Sequence, residues 1–120
     1  MSIISIILIA LLGVLHLGIM GLEMFASPNT QAKSFDMAPD FVHKPEAQTA
    51  LKNQGIYNGM LGVLLLLSLF VLSGSGQIIN ARLLSAFVLV VGIYGGCTAT
   101  RKILLIQALP GLLALVSLFF

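Results

Sequence analysis

A cluster of hydrogen-bonding side chains is the strongest chemical signal in this chain: Asn53, Gln54, Tyr57 and Asn58. They belong to the motif NQGIYNG at positions 53–59, and an apolar run at 60–72 follows directly. Amide and phenol groups in the first turns of a membrane span must find hydrogen-bond partners on neighbouring helices, in a cavity or on a ligand. The motif therefore predicts either contacts between helices or contacts to a bound molecule.

Two ionisable groups in the first apolar run, His16 and Glu23, are the catalytic candidates. Seven helical residues rise about 10 Å with a net rotation of about 20°, so both side chains lie on one face at different depths. Glu23 would bind or transfer a proton, with His16 relaying it. The structural alternatives are an acid that reaches interfacial water and a histidine that is bonded to a neighbouring helix.

The other ionisable groups exclude several classes of site. His16, Glu23 and His43 have no recognisable metal-ligand spacing, and Cys97 is the only cysteine, so neither a metal nor another cofactor is expected. A net charge of +2 that comes from so few groups cannot form the basic stripe that nucleic acid requires.

The composition predicts the fold class. The chain has 120 residues, of which 58% are hydrophobic and 8% charged, whereas about a quarter of the residues in soluble domains are charged. We therefore expect an all-α integral membrane protein, an up-down-up-down four-helix bundle in a single domain, 1–120. The predicted spans are about 3–25, 46–72, 77–97 and 103–120. A cleavable signal peptide is the alternative for the first span, but that apolar run is too long and no Lys or Arg precedes it.

The segment 27–44 is the one long polar connection, rich in proline and charge. We expect an irregular solvated loop, with a lid folded over the helix ends as the alternative. Pro45 should begin the second span, where its missing N–H costs nothing.

Basic residues predict the orientation. In a four-span chain, one side of the membrane carries the connections 27–44 and 98–102, and the other carries both termini. Only Arg82 lies toward the terminal side, whereas the connection side holds Lys33, Lys44, Lys52, Arg101 and Lys102. The positive-inside rule then makes both connections cytoplasmic and both termini external in a bacterial inner membrane.

Polar side chains from all four spans are expected at the cytoplasmic half of the bundle. Together they would line an intramembrane chamber that binds a small apolar or amphipathic molecule; the ligand-binding candidates are Glu23, Asn53, Gln54, Tyr57, Asn58, Tyr94, Thr98 and Gln107. The pairs Gly55/Gly59 and Gly92/Gly96 permit close helix approach, either within the bundle or in a homodimer.

These motifs resemble a known family, the domain of unknown function 1304 family of small bacterial four-span proteins. The similarity rests on His16, on the motif EMF that begins at Glu23, on NQGIYNG at 53–59, and on the last hairpin from Tyr94 to Pro110. It implies membrane location and four helices, and it implies no activity.

Three functions remain in competition at this point. The first is binding of a small apolar or amphipathic molecule, anchored by Glu23, Tyr57 and Asn58. The second is a membrane enzyme in which Glu23 and His16 transfer protons on a lipid-like substrate. The third is a structural or partner-binding protein whose amides only lock the helices together.

Overall fold

The computed structural model describes residues 1–120 and is helical throughout, with no strands. Three helices are long and apolar enough to cross a membrane, and a shorter apolar helical segment follows them. In chain order the elements are α1 (Ile3–Phe25), α2 (Pro28–Phe35), α3 (Pro39–Val42), α4 (Pro45–Val71), α5 (Gly74–Thr98), a π-helical turn (Leu104–Ala108) and α6 (Leu109–Ser117). The predicted all-α fold class is confirmed, and three of its helices could span a membrane.

The segment 27–44 differs from the expected irregular loop, because most of it is folded into α2 and α3. Prolines stand at the start of α2, α3 and α4, where a fixed φ and a missing N–H favour a helix. Ser27 caps α2 by accepting a hydrogen bond from the N–H of Thr30, and Asp36 ends it with φ at 53°. We call α2 and α3 together the cap.

The last apolar segment also differs from the predicted continuous span. Its helical part, Leu104–Ser117, is shorter than the three long helices and begins with the π turn. The N–H of Leu109 bonds the carbonyl of Leu104, and Pro110, which has no N–H to donate, follows at once.

Glycines bring α1 and α4 into close contact. Gly55 packs against Met24 and Gly59 against Met20, while a Cβ on Gly62 would lie 2.6 Å from the carbonyl oxygen of Gly13. The predicted close approach therefore occurs within one chain.

The second glycine pair is used in the same way on α5. A Cβ on Gly92 would lie 2.6 Å from the backbone nitrogen of Ala108, and Gly96 packs against Leu104. Both glycine faces are thus covered by other helices of the same chain.

The apolar core lies in the half of the molecule that holds both termini. Seven buried side chains from α1, α4, α5 and the C-terminal segment form it: Ile9, Leu12, Leu65, Ala81, Val88, Ala114 and Leu118. Polar groups close the ends of the helices there, since Arg82 donates to the carbonyl of Leu118 at 2.7 Å and Ser5 to that of Ser117 at 2.9 Å. The buried groups His16, Glu23 and Asn58 lie on the cap side of this core.

Replacing Gly62 with alanine should destabilise the protein. The new methyl group meets the backbone carbonyl of Gly13, which cannot move as a flexible side chain would, so we expect a loss of about 1–3 kcal/mol in the free energy of unfolding in detergent micelles. Gly18→Ala on α1 is the matched control, since no atom lies within 4 Å of its added Cβ. That variant should gain about 0.5–1 kcal/mol from helix propensity, and equal losses in both variants would contradict the packing described here.

Candidate functional site

Glu23 and Asn58 meet at the α1–α4 contact. Since Gly55 faces Met24 and Gly59 faces Met20, the residues between them on the two helices come level with each other. The Asn58 Nδ2 donates to Glu23 Oε2 at 2.7 Å, and the two residues are 8% and 7% exposed. The glycine contacts thus place a carboxyl group beside an amide in the helix interface.

Each of these side chains keeps one oxygen without a protein partner. Neither Glu23 Oε1 nor Asn58 Oδ1 forms a hydrogen bond with the protein. The side-chain atoms that are both fully buried and unpaired are Arg82 Nε and Ser85 Oγ, so the two oxygens are not fully buried. No cation balances Glu23, because the one ion pair in the protein joins Lys102 to Asp36.

The cap covers this end of the α1–α4 pair through a buried glutamine, Gln31. Its Nε2 donates at 3.0 Å to the carbonyls of both Leu22 and Glu23, which are among the unpaired carbonyls at the end of α1. Its Oε1 accepts from Gln48 on α4 at 2.8 Å, and Gln48 also donates to the carbonyl of Val42. One amide network thus ties α2 and α3 to both long helices.

Sequence reasoning missed Gln31 and Gln48, although a sequence signal exists for the first of them. Gln77 bonds the carbonyls of Ser68 and Leu69 at the end of α4, eight and nine residues before it, which is also the spacing from Gln31 to Leu22 and Glu23. In both places a glutamine of the next helix bonds carbonyls that the end of an apolar helix leaves unpaired.

Asp36 fastens the cap to the turn after α5. Its carboxylate accepts from the Lys102 Nζ at 2.7 Å and from the Thr100 hydroxyl at 2.5 Å, and the Lys102 Nζ also donates to the carbonyl of Lys33. The hydrogen bonds from Lys102 and Thr100 hold the pKa of the Asp36 carboxyl below its ordinary value. Lys102 is therefore paired with Asp36 and forms no ion pair with Glu23.

His16 is engaged on both ring nitrogens. Its Nδ1 donates to the carbonyl of Leu12 at 2.8 Å, which leaves Nε2 to accept from the Gln107 amide at 3.1 Å. The structural interpretation of His16 is the one that the geometry favours. Gln107, a candidate for lining the chamber, joins the π turn to α1 through this bond.

A groove of about 250 Å³ lies between the cap and the first turns of α4. Five apolar side chains and one amide line it: Met37, Phe41, Ala47, Ala50, Leu51 and Gln54. Gln54 and Asn58 are four residues apart, so they share one face of α4 with Gln54 about 6 Å nearer the cap. The groove therefore begins one helical turn from the Glu23–Asn58 pair.

The remaining site candidates point outward. Asn53, Tyr57, Tyr94 and Thr98 are all exposed, the two tyrosines by 75% and 71%, and the Thr98 hydroxyl bonds the carbonyl of Tyr94 within its own helix. The eight candidates consequently do not line one chamber. Glu23 and Asn58 are in contact, the exposed Gln54 lies one turn from Asn58 on α4, Gln107 joins His16, and the other four face away. Outward tyrosines of this kind are typical of the membrane interface.

Comparison with known proteins places the chain in a family. Residues 10–119 match the family model described as "Protein of unknown function (DUF1304)". The chain belongs to this family. It is 40% identical to a relative described as "Uncharacterized protein YpaA" from Lactococcus lactis subsp. lactis (strain IL1403), over 100% of both chains. No solved structure matches it. The family membership expected from the NQGIYNG motif is confirmed.

Gln107→Leu should destabilise the protein through His16. The change leaves His16 Nε2 buried without a donor, which costs about 1–3 kcal/mol in the free energy of unfolding. Asn53→Leu replaces an exposed amide that bonds nothing and should change stability by less than about 0.5 kcal/mol. Thermal unfolding in micelles measures both, and a Gln107→Leu variant as stable as wild type would refute the His16–Gln107 contact.

Asp36→Asn should loosen the cap. The variant loses the charge that holds Lys102, so amide hydrogen exchange in α2 and α3 should be several-fold faster at pH 7, with α1 unchanged. Because the folded pKa of Asp36 is lowered, its contribution is fully present above the ordinary aspartate value, about 4, and is lost only as the pH falls through the folded value.

Asp40→Asn is the control, because this acid lies on the same cap, is exposed and has no side-chain partner. Unchanged exchange in Asp36→Asn, or equal acceleration in both variants, would show that Asp36 does not fasten the cap.

Proposed function

We propose that this protein is a four-span antiparallel bundle that binds a small amphipathic molecule, with its polar head at Glu23 and Asn58 and its apolar part in the groove beneath the cap. The bundle would be a single domain in the bacterial inner membrane. The observation that carries the proposal is a nearly buried carboxyl group that has one protein donor, no cation and one free oxygen, a helical turn from an apolar groove.

Contacts at the two ends of the molecule support the antiparallel arrangement. Asp36 in the segment 27–44 bonds Thr100 and Lys102, so the two connections share one end. At the other end, Arg82 near the start of α5 and Ser5 near the start of α1 bond carbonyls at the end of α6. With the basic residues concentrated at the cap end, that end would be cytoplasmic.

The level of the site within the membrane fits a ligand that is partly apolar. Gly55 packs beside Met24, the next-to-last residue of α1, so the first turns of α4 extend beyond α1 toward the cap. The Glu23–Asn58 pair then lies just below the interface and the groove lies within it. A molecule with a polar head and a short apolar part could place its head at the Glu23–Asn58 pair and its apolar part in the groove.

The two competing functions have less support. For His16 to accept a proton at Nε2, its bond to Gln107 must break, so the enzymatic hypothesis requires a rearrangement at this residue. A purely structural role explains the Asn58 donor, but it gives no protein partner to the remaining oxygens of Glu23 and Asn58.

Native mass spectrometry of the protein purified in mild detergent tests this proposal. After incubation with a lipid extract of the producing cells, wild type should carry a discrete adduct that Glu23→Gln reduces at least about tenfold, since a hydrogen bond to a charged group is worth about 1.5–3 kcal/mol. Glutamine keeps an acceptor for Asn58, so the fold should survive the change.

Glu46→Gln is the matched control, because Glu46 is an exposed acid in the first turn of α4. It should leave the adduct unchanged. A folded wild type that carries no adduct from the extract, or an adduct that persists equally in Glu23→Gln, would reject binding at this site.

A further inference from the structure

We infer that the head group recognised at Glu23 and Asn58 is an ammonium that carries N–H donors, so that the ligand is a primary or secondary amine with an apolar chain. This inference rests on the proposed function and names the ligand class of the same site. It follows from which hydrogen-bonding atoms remain free there.

The two oxygens that have no protein partner at the pair are acceptors. The Asn58 Nδ2 directs one of its two N–H groups at Glu23 Oε2. Glu23 Oε1 and Asn58 Oδ1 remain, and neither a carboxylate nor an amide oxygen can donate. A head group that itself only accepts, such as a phosphate or an ether, therefore has no donor to bind at these two atoms.

The charge at the site also favours a cation. Glu23 is the one buried acid within the long helices, and no Lys or Arg side chain forms an ion pair with it. Arg82 bonds Leu118 at the opposite end, Lys102 bonds Asp36, and the others are exposed: Lys33, Lys44, Lys52 and Arg101. A carboxylate in a low-dielectric site is stabilised by a nearby cation, and a ligand ammonium supplies one.

The groove determines what must be attached to the ammonium. Its lining is apolar apart from Gln54, and one wall is formed by Phe41 of the cap and by Met37, which lies between α2 and α3. With Asn58 about 6 Å below Gln54 on the same face of α4, a nitrogen at Glu23 leaves a linear alkyl chain lying along Leu51 and Ala47. A methionine and an aromatic ring adapt to chains of different shape.

Three probes with the same chain and different head groups test the inference. Dodecylamine offers a charge and N–H donors, dodecyltrimethylammonium offers the charge alone, and dodecanol offers a donor alone. Binding is measured by calorimetry to the protein in phosphatidylcholine nanodiscs at pH 7, with empty nanodiscs subtracted to remove partitioning into lipid. Glu23→Gln and the control Glu46→Gln are measured in parallel.

Dodecylamine should bind wild type at least about tenfold more tightly than either other probe, because charge-assisted hydrogen bonds are about twice as strong as neutral ones. Glu23→Gln should abolish this preference, and Glu46→Gln should retain it. If dodecanol binds as tightly as dodecylamine and Glu23→Gln weakens both, the amine inference fails and the proposed function stands. If no probe binds wild type above empty nanodiscs, or if Glu23→Gln binds all three as wild type does, both fail.

Discussion

The close contact between α1 and α4 is the constraint on which the rest of the structure depends. Gly55, Gly59 and Gly62 remove side chains from one face of α4, and Met20, Met24 and the backbone at Gly13 occupy the space. Without a large hydrophobic driving force between helices in lipid, this backbone proximity is a main source of association. It also fixes the register of the two helices, and the register determines that Glu23 meets Asn58.

Much of the fold could be predicted from the sequence, because apolar runs that are long enough to span a bilayer leave few alternatives to helices. The last segment was harder. Its composition indicated one further span, but Pro110 and the π turn before it shorten the regular helix. Residue type alone does not reveal where the hydrogen bonds change from the i to i−4 pattern of an α-helix to the i to i−5 pattern of a π-helix. The cap was missed for a related reason, since prolines that break one helix also begin the next.

The site was predictable in part. Of the polar side chains in the motif NQGIYNG, Asn58 is buried and contacts Glu23, whereas the other three are exposed. The sequence could not tell which polar side chains face inward, because that depends on how α4 is oriented about its own axis. The packing of its glycine face sets this orientation. Once the glycine face meets α1, Asn58 lies inside, while Tyr57, one residue before it, is rotated about 100° and points outward. His16 and Gln107 pair across ninety-one positions, which no local pattern indicates.

A double-mutant cycle between Glu23 and Asn58 tests the central claim most directly. Glu23→Leu or Asn58→Leu alone leaves a buried polar partner unsatisfied, whereas the double variant removes both groups. The account predicts that the free energies of unfolding in micelles are non-additive, with a coupling of about 1–3 kcal/mol and a double variant less destabilised than the sum of the singles. Additive effects, within about 0.5 kcal/mol, would show that the two side chains do not interact and would contradict the register on which the site is built.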